Sequence, residues 1–97
     1  MARARLLVKD FERIREQAAQ DAAITVADTL RLGMSFDSMV PLDTVDLRVP
    51  NVLWRERGVR WDDLSSADKA RCAMAYIDAY RDAYALEWEL NGGWEAA

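Results

Sequence analysis

The stretch from Ser65 to Leu90, SSADKARCAMAYIDAYRDAYALEWEL, contains neither proline nor glycine. Ser65 is a natural N-cap and Asp68 stands three positions on, a weak capping-box pattern with Leu64 at the staple position before it. Gly92 and Gly93 supply the stop. The spacing predicts one long helix, roughly 37 Å from end to end. Apolar side chains cover about three quarters of its circumference, far more than a surface helix shows. On a helical wheel Ala70, Ala73, Met74, Ile77, Tyr80, Tyr84 and Trp88 form one apolar face. Cys72, Tyr76, Ala79, Ala83, Leu86 and Leu90 form a second beside it, and Arg71, Asp78, Asp82 and Glu89 mark the polar edge. A helix apolar on two faces needs two neighbours.

The first neighbour is legible at the other end of the chain. Leu7, Phe11, Ile14, Ala18, Ala22, Thr25, Thr29 and Leu32 recur at helical spacing and form one narrow stripe. Asp10, Arg13, Gln17, Gln20, Asp21, Asp28 and Arg31 fall largely opposite. This predicts an amphipathic helix over about 3–32, ended at Gly33. Ala18, Ala19, Ala22 and Ala23 make its middle narrow enough for close approach.

Between the two lies a connector of about thirty residues. Ser35 or Asp37 fits the cap of one helical turn before Pro41. Thr44 to Val49 alternates apolar and polar, the period of a half-buried strand, and Pro50 closes the run. A lone strand has no partner for its backbone, so it pairs with Val52–Arg55, with Val59–Trp61 or with its copy in a second chain, or the stretch is extended loop. Asn51 can cap a helical turn through Trp54 to Arg57, ended by Gly58. Trp54 and Trp61 flank that glycine. Both are expected to fold the connector onto the long helices, with an exposed anchor for a partner as the alternative.

The expected fold is therefore all-α: a single domain over 1–97, two long antiparallel helices (about 3–32 and 66–90), and a connector holding a helical turn and at most one short strand. One helical stripe cannot cover both apolar faces of 66–90. A second copy of the chain covers the remainder most simply, giving a homodimer through Tyr76, Ala79, Ala83, Leu86 and Leu90.

Composition excludes several chemistries. The chain has 97 residues, one Cys, no His and a net charge of −4. Without His it lacks the commonest general base and the commonest zinc ligand. One Cys makes no internal disulfide, and Cys72 sits among alanines and leucines, where a small buried hydrophobe is expected. No glycine-rich phosphate loop or nucleophile elbow is present. Asp78 and Asp82, four apart, fit the solvated edge of a helix better than a metal site. Neither cofactor nor metal is expected, and no catalytic residue is assigned. The acid excess disfavours nucleic-acid backbone. Charges every few residues in MARARLLVKDFERIREQ fit neither a signal peptide nor a membrane span, so the cytoplasm is the default compartment.

Trp61-Asp62-Asp63-Leu64-Ser65-Ser66-Ala67-Asp68-Lys69 resembles the W-x-x-L-S-x-x-[DE]-K signature of the HMG box. The resemblance implies minor-groove DNA bending, but the helix that follows is acidic where an HMG box is basic. The shared device is a packed Trp followed by a Ser-capped helix. In length and two-helix plan the chain is also similar to small secreted helical hairpins with a Trp-x-Gly turn. That turn is missing here, since Trp54 stands four residues from Gly58. No family is assigned.

The functional expectation is a small non-enzymatic protein-interaction module, a regulator or inhibitor of a larger protein, of a kind common among phage and mobile-element products. Trp54, Arg55, Arg57 and Arg60 would supply contacts, with Asp78, Asp82 and Glu89 as a second surface. The alternative is a helical transcription or nucleic-acid regulator using the arginines near the N-terminus or within 48–60. A helical enzyme with its site between subunits is a third and weaker option.

Overall fold

The computed structural model describes residues 5–38 and 41–95, with side chains from 5–37 and 48–95. Among them are three α-helices: α1 (Val8–Arg31), α2 (Pro41–Arg57) and α3 (Ser66–Leu90). Single turns of 3-10 helix at Phe36–Ser38 and Trp61–Asp63 mark the two corners.

Each helix starts and stops for a local reason. Asp10, in the first turn of α1, turns its carboxylate back to accept the Leu7 N–H at 2.8 Å. That choice of cap starts α1 at Val8 and not near Arg3; residues 3 and 4 lie outside the described part. At the far end Gly33 takes φ 69°. The Met34 N–H then reaches back to the Thr29 carbonyl and the Gly33 N–H to that of Leu30, a Schellman stop. The Ser65 hydroxyl caps α3 by accepting the Asp68 N–H at 3.1 Å. Gly92 at φ 70° ends α3 with the same pair of bonds, to Trp88 and Glu89.

The connector is where the expectation changes. Residues 44–49 are helix, not strand, inside a 17-residue α2 that Pro41 opens and that continues through Pro50. Proline suits the first helical position because its missing N–H would have no partner there. Pro50 forfeits one bond, to the carbonyl four residues earlier, and the helix tolerates it. A strand at 44–49 would have needed a partner strand, and none exists among the described residues. A helix satisfies its own backbone and carries Val49, Val52 and Leu53 into the core at i, i+3, i+4 spacing.

That helix also reverses the expected direction of α3. Arg71 lies over the Phe11 ring, Tyr76 meets Asp21, and Phe36 meets Tyr84 and Trp88. Partners rise together in both segments, so α1 and α3 run parallel and not antiparallel. Arg57 meets Asp10 and Arg48 meets Asp21, so α2 runs against both. The molecule is an up-down-up bundle, a rod of 53 × 20 × 20 Å. A connector that is itself a full helix uses up one traverse of the rod, and α3 must then retrace the direction of α1.

The core is thin and aromatic. Tyr76, Tyr80, Tyr84 and Trp88 form a ladder along α3, each almost fully buried, with neighbouring rings 5.9, 6.0 and 6.1 Å apart and nearly parallel. Ala18 and Ala22 of α1 are buried in the same cluster, and their small side chains leave room for the rings. The α1 stripe holds at Ile14, Ala18, Ala22 and Thr29, gains Val26, and loses its ends, Leu7 and Leu32, to solvent. Trp94 folds back beyond the α3 stop onto Phe36 and Trp88, at 5.0 and 5.9 Å between ring centroids.

Gly93 lies flat against the Trp88 indole, and a Cβ built there would run into the ring. Trp88 is wedged by Phe36 and Trp94 and has no free side to retreat to. Gly93→Ala is expected to cost about 1–3 kcal/mol through this overpacking. Gly93 is not in the left-handed region, so the ring contact is the cause there; Gly33→Ala is the contrasting case, with φ 69° and open space around its Cβ. Urea titrations followed by tryptophan fluorescence give both values, and a Gly93→Ala variant as stable as the wild type would show that the ring contact costs nothing.

Candidate functional site

Two acids that fall on the polar side of the α1 wheel are buried, and they account for much of the arginine chemistry. Asp10 is 3% exposed and accepts from Arg57 Nε at 2.8 Å. The same guanidinium donates to the Arg5 carbonyl at 2.7 Å. Asp21 is 6% exposed. It accepts the Tyr76 hydroxyl at 2.6 Å and the Gln17 amide at 2.9 Å, with Arg48 Nε 3.8 Å away. Arg55 donates to the Gln17 carbonyl oxygen at 3.2 Å. These contacts clasp α2 and α3 onto α1. Arg57 and Arg55, expected as partner contacts, are thus engaged within the chain, and Arg57 most tightly. The sequence signal for Asp10 was its spacing: it lies one helical turn before Ile14, on the buried face.

The remaining connector residues do come together. Trp54 and Arg60 line a shallow groove of about 410 Å³ with Pro50, Val59, Trp61 and Asp62, at the corner between α2 and α3. Trp54 stays 59% exposed, so it is not tucked onto the long helices as expected, whereas Trp61 is half-buried. The Arg60 side chain is exposed and makes no hydrogen bond or ion pair among the described residues. The walls are chiefly apolar, with one cation and one anion at the rim. A smaller crevice of about 120 Å³, between Lys9, Arg13 and Glu56, has the Asp10–Arg57 pair in its wall.

The second expected surface is separate. Asp78, Asp82 and Glu89 are exposed on α3. Asp82 and Glu89 flank Leu86 and Leu90, which are 55% and 69% exposed. Of the residues expected to pair two copies, Tyr76 lies instead in the core of its own chain, fully buried and bonded to Asp21. Ala79 and Ala83 are half-buried against the same core. The second apolar face of α3 was expected to lack a cover within the chain. The correction is that Cys72 and Tyr76 are buried and Ala79 and Ala83 half-buried within the chain, where α2 is a whole helix packed on α3 in place of a short turn; Leu86 and Leu90 are what remains open.

Among the described residues no three His, Cys, Asp or Glu side chains converge in a way that could hold a metal ion. Cys72 is buried, and desolvation, with Asp68 and Asp10 nearby, pushes its thiol up to about 11. At neutral pH it is a protonated, inert group. No described helix is long and apolar enough to cross a membrane. Comparison with protein-family models, with curated proteins and with solved structures finds no match to this chain.

Two outcomes test these assignments. Tyr76→Phe removes the donor from a buried carboxylate and is expected to cost about 1–3 kcal/mol in urea titrations. An Asp21→Ala/Tyr76→Phe double-mutant cycle should give a coupling of similar size, and additive effects would show that the hydroxyl bond carries no energy. The Cys72 thiol keeps its proton in the folded chain up to about pH 11 but loses it from about pH 9 when unfolded. Its contribution is complete below pH 9 and falls away as pH rises toward 11. Burial shifts the Tyr80 hydroxyl in the same direction. Urea midpoints of the wild type should therefore fall across that window, and Cys72→Ala should flatten the fall; an unchanged slope would remove the thiol as its cause.

Proposed function

We propose that this protein is a small non-enzymatic binding module, a regulator or inhibitor that docks a segment of a larger protein in the groove between Trp54 and Trp61. The observation that carries the reading is the exposure of Trp54. Trp54 stands more than half in solvent and makes no ring contact among the described residues, unlike the equally exposed Trp94, which packs on Phe36 and Trp88, so it forgoes a large stabilisation. Trp and Arg are also the residues most enriched where binding energy concentrates, and Trp54 has Arg60 across the groove from it.

Arg60 supplies the direction of the interaction. Its side chain is unengaged among the described residues, so a partner segment with an apolar side chain for the groove and an acid for the rim would satisfy both features. Arg55 and Arg57 drop to supporting roles, since Gln17, Asp10 and the Arg5 carbonyl already engage them. The same contacts weaken the alternative of a nucleic-acid regulator, because phosphate binding would have to compete for those guanidinium groups.

Affinity capture from lysate with the full chain as bait tests the reading. Trp54→Ala should lower recovery of a specific protein by about thirtyfold or more, as expected for loss of roughly 2 kcal/mol at a central anchor. Arg60→Glu should lower it further by opposing the partner's acid. Arg57→Glu is unsuitable, since it places a second carboxylate against buried Asp10 and threatens the fold. Recovery unchanged in Trp54→Ala and Arg60→Glu removes the groove from the function.

A further inference from the structure

Two surfaces of this chain match in chemistry and lie at opposite ends of it. One is the groove, with apolar walls from Pro50, Trp54, Val59 and Trp61 and a free cation, Arg60. It sits at the end where Arg57 meets Asp10, near the start of α1. The other is the outer face of the last turns of α3, where Leu86 and Leu90 stand one turn apart and exposed. Glu89 lies between them in sequence and is also exposed, without an ion pair among the described residues. That face sits at the end where Phe36 meets Trp88.

The charge of the whole rod follows the same division. Residues 5–20 and 48–72, which build the groove end, hold ten Lys and Arg against seven acids. Residues 21–37 and 73–95, which build the other end, hold eight acids against Arg31 and Arg81. One end is net basic and the other strongly acidic. Two rods side by side in the same direction would oppose acid to acid. Two rods in opposite directions place each basic end beside an acidic one.

We infer that two copies of the chain pair antiparallel about a two-fold axis, the Leu86–Leu90 face of each seated in the Trp54–Trp61 groove of the other. This rests on the groove being a binding site, and it names the chemistry that fills it: a helix with leucines at i and i+4 and an acid between them. Leu86 and Leu90 pack between the indoles, and Glu89 reaches Arg60. The contact occurs twice, once at each end, so the pair closes and does not grow. Placing the α3 face against itself would instead oppose Asp82 and Glu89 of both copies. A flank of 53 by 20 Å is large enough for the roughly 800 Å² per partner that a stable interface buries.

Sedimentation equilibrium on the full chain, up to ~100 µM, tests the pairing. The wild type should reach twice its 11.1 kDa mass. Leu86→Asp/Leu90→Asp and Trp54→Ala should each raise the dissociation constant at least about tenfold. Mixed together, these two should associate more tightly than either does alone, because one of the two contacts is then intact. Glu89→Arg should weaken the pair, and adding Arg60→Glu in the same chain should restore it. Circular dichroism confirms the helix content of each variant, and the altered side chains are all exposed. A wild type that stays at the monomer mass overturns the inference. So does growth beyond the dimer, or a Glu89→Arg defect that Arg60→Glu does not rescue. A monomer that still loses a captured protein on Trp54→Ala overturns the pairing and leaves the groove as a site for a foreign partner. A groove-dependent dimer that captures nothing from lysate upholds the pairing and removes the foreign partner.

Discussion

The Asp21 carboxylate is the point where the three helices of this bundle meet. It belongs to α1, accepts a proton donor from Tyr76 on α3 at 2.6 Å, and has Arg48 of α2 at 3.8 Å. A buried carboxylate adds little net stability, since its desolvation offsets much of what its partners return. Its effect is to discriminate. An arrangement that reverses α3, or slides it by a turn so that Cys72 replaces Tyr76, takes the hydroxyl donor away from a buried carboxylate, at a cost of about 1–3 kcal/mol. The aromatic ladder, by contrast, repeats every four residues and would tolerate such a slide. The polar contact thus excludes a reversed α3 and one of the two slides that the rings would allow.

The second clasp, Asp10 with Arg57, does the same at the basic end. It ties the end of α2 to the start of α1 and so holds the corner where the chain turns into α3. That corner carries Trp54, Arg60 and Trp61. A binding groove built on a turn needs a rigid base, and the paired guanidinium beneath it, bonded to both a carboxylate and a backbone carbonyl, supplies one. The opposite end is less complete. Among the described residues Tyr84 Oη and Trp88 Nε1 are buried without a hydrogen-bond partner, at a cost of about 1–3 kcal/mol each. Among the described residues the paired polar side chains in the core are thus those at the middle and the basic end.

The site was partly legible in the residues and partly not. Trp54 and Arg60 stood out because their types and spacing resemble interface anchors, and they do line one groove. Arg57 stood out for the same reason but is engaged within the chain, because its partner is a buried carboxylate 47 positions away in sequence. Nothing local in 48–60 distinguishes the two arginines. Tyr76 was equally ambiguous: as one step of an apolar wheel it could face its own core or a second chain, and only the position of Asp21 decides.

The sequence by itself determined the helical class, the start of α3 at Ser65, and the stops at Gly33, Gly58 and Gly92. These depend on bonds and backbone angles within a few residues, and local chemistry is enough to set them. It also determined that α3 would be covered on more than one side. What covers it, and in which direction the helices run, only the tertiary structure decided. The alternation over 44–49 fits a strand as well as a helix until Val49, Val52 and Leu53 find a core to enter. Once those residues form a full helix the chain crosses the rod three times, and α1 and α3 come out parallel. Direction depends on contacts between residues 27 and more positions apart, which no local pattern encodes.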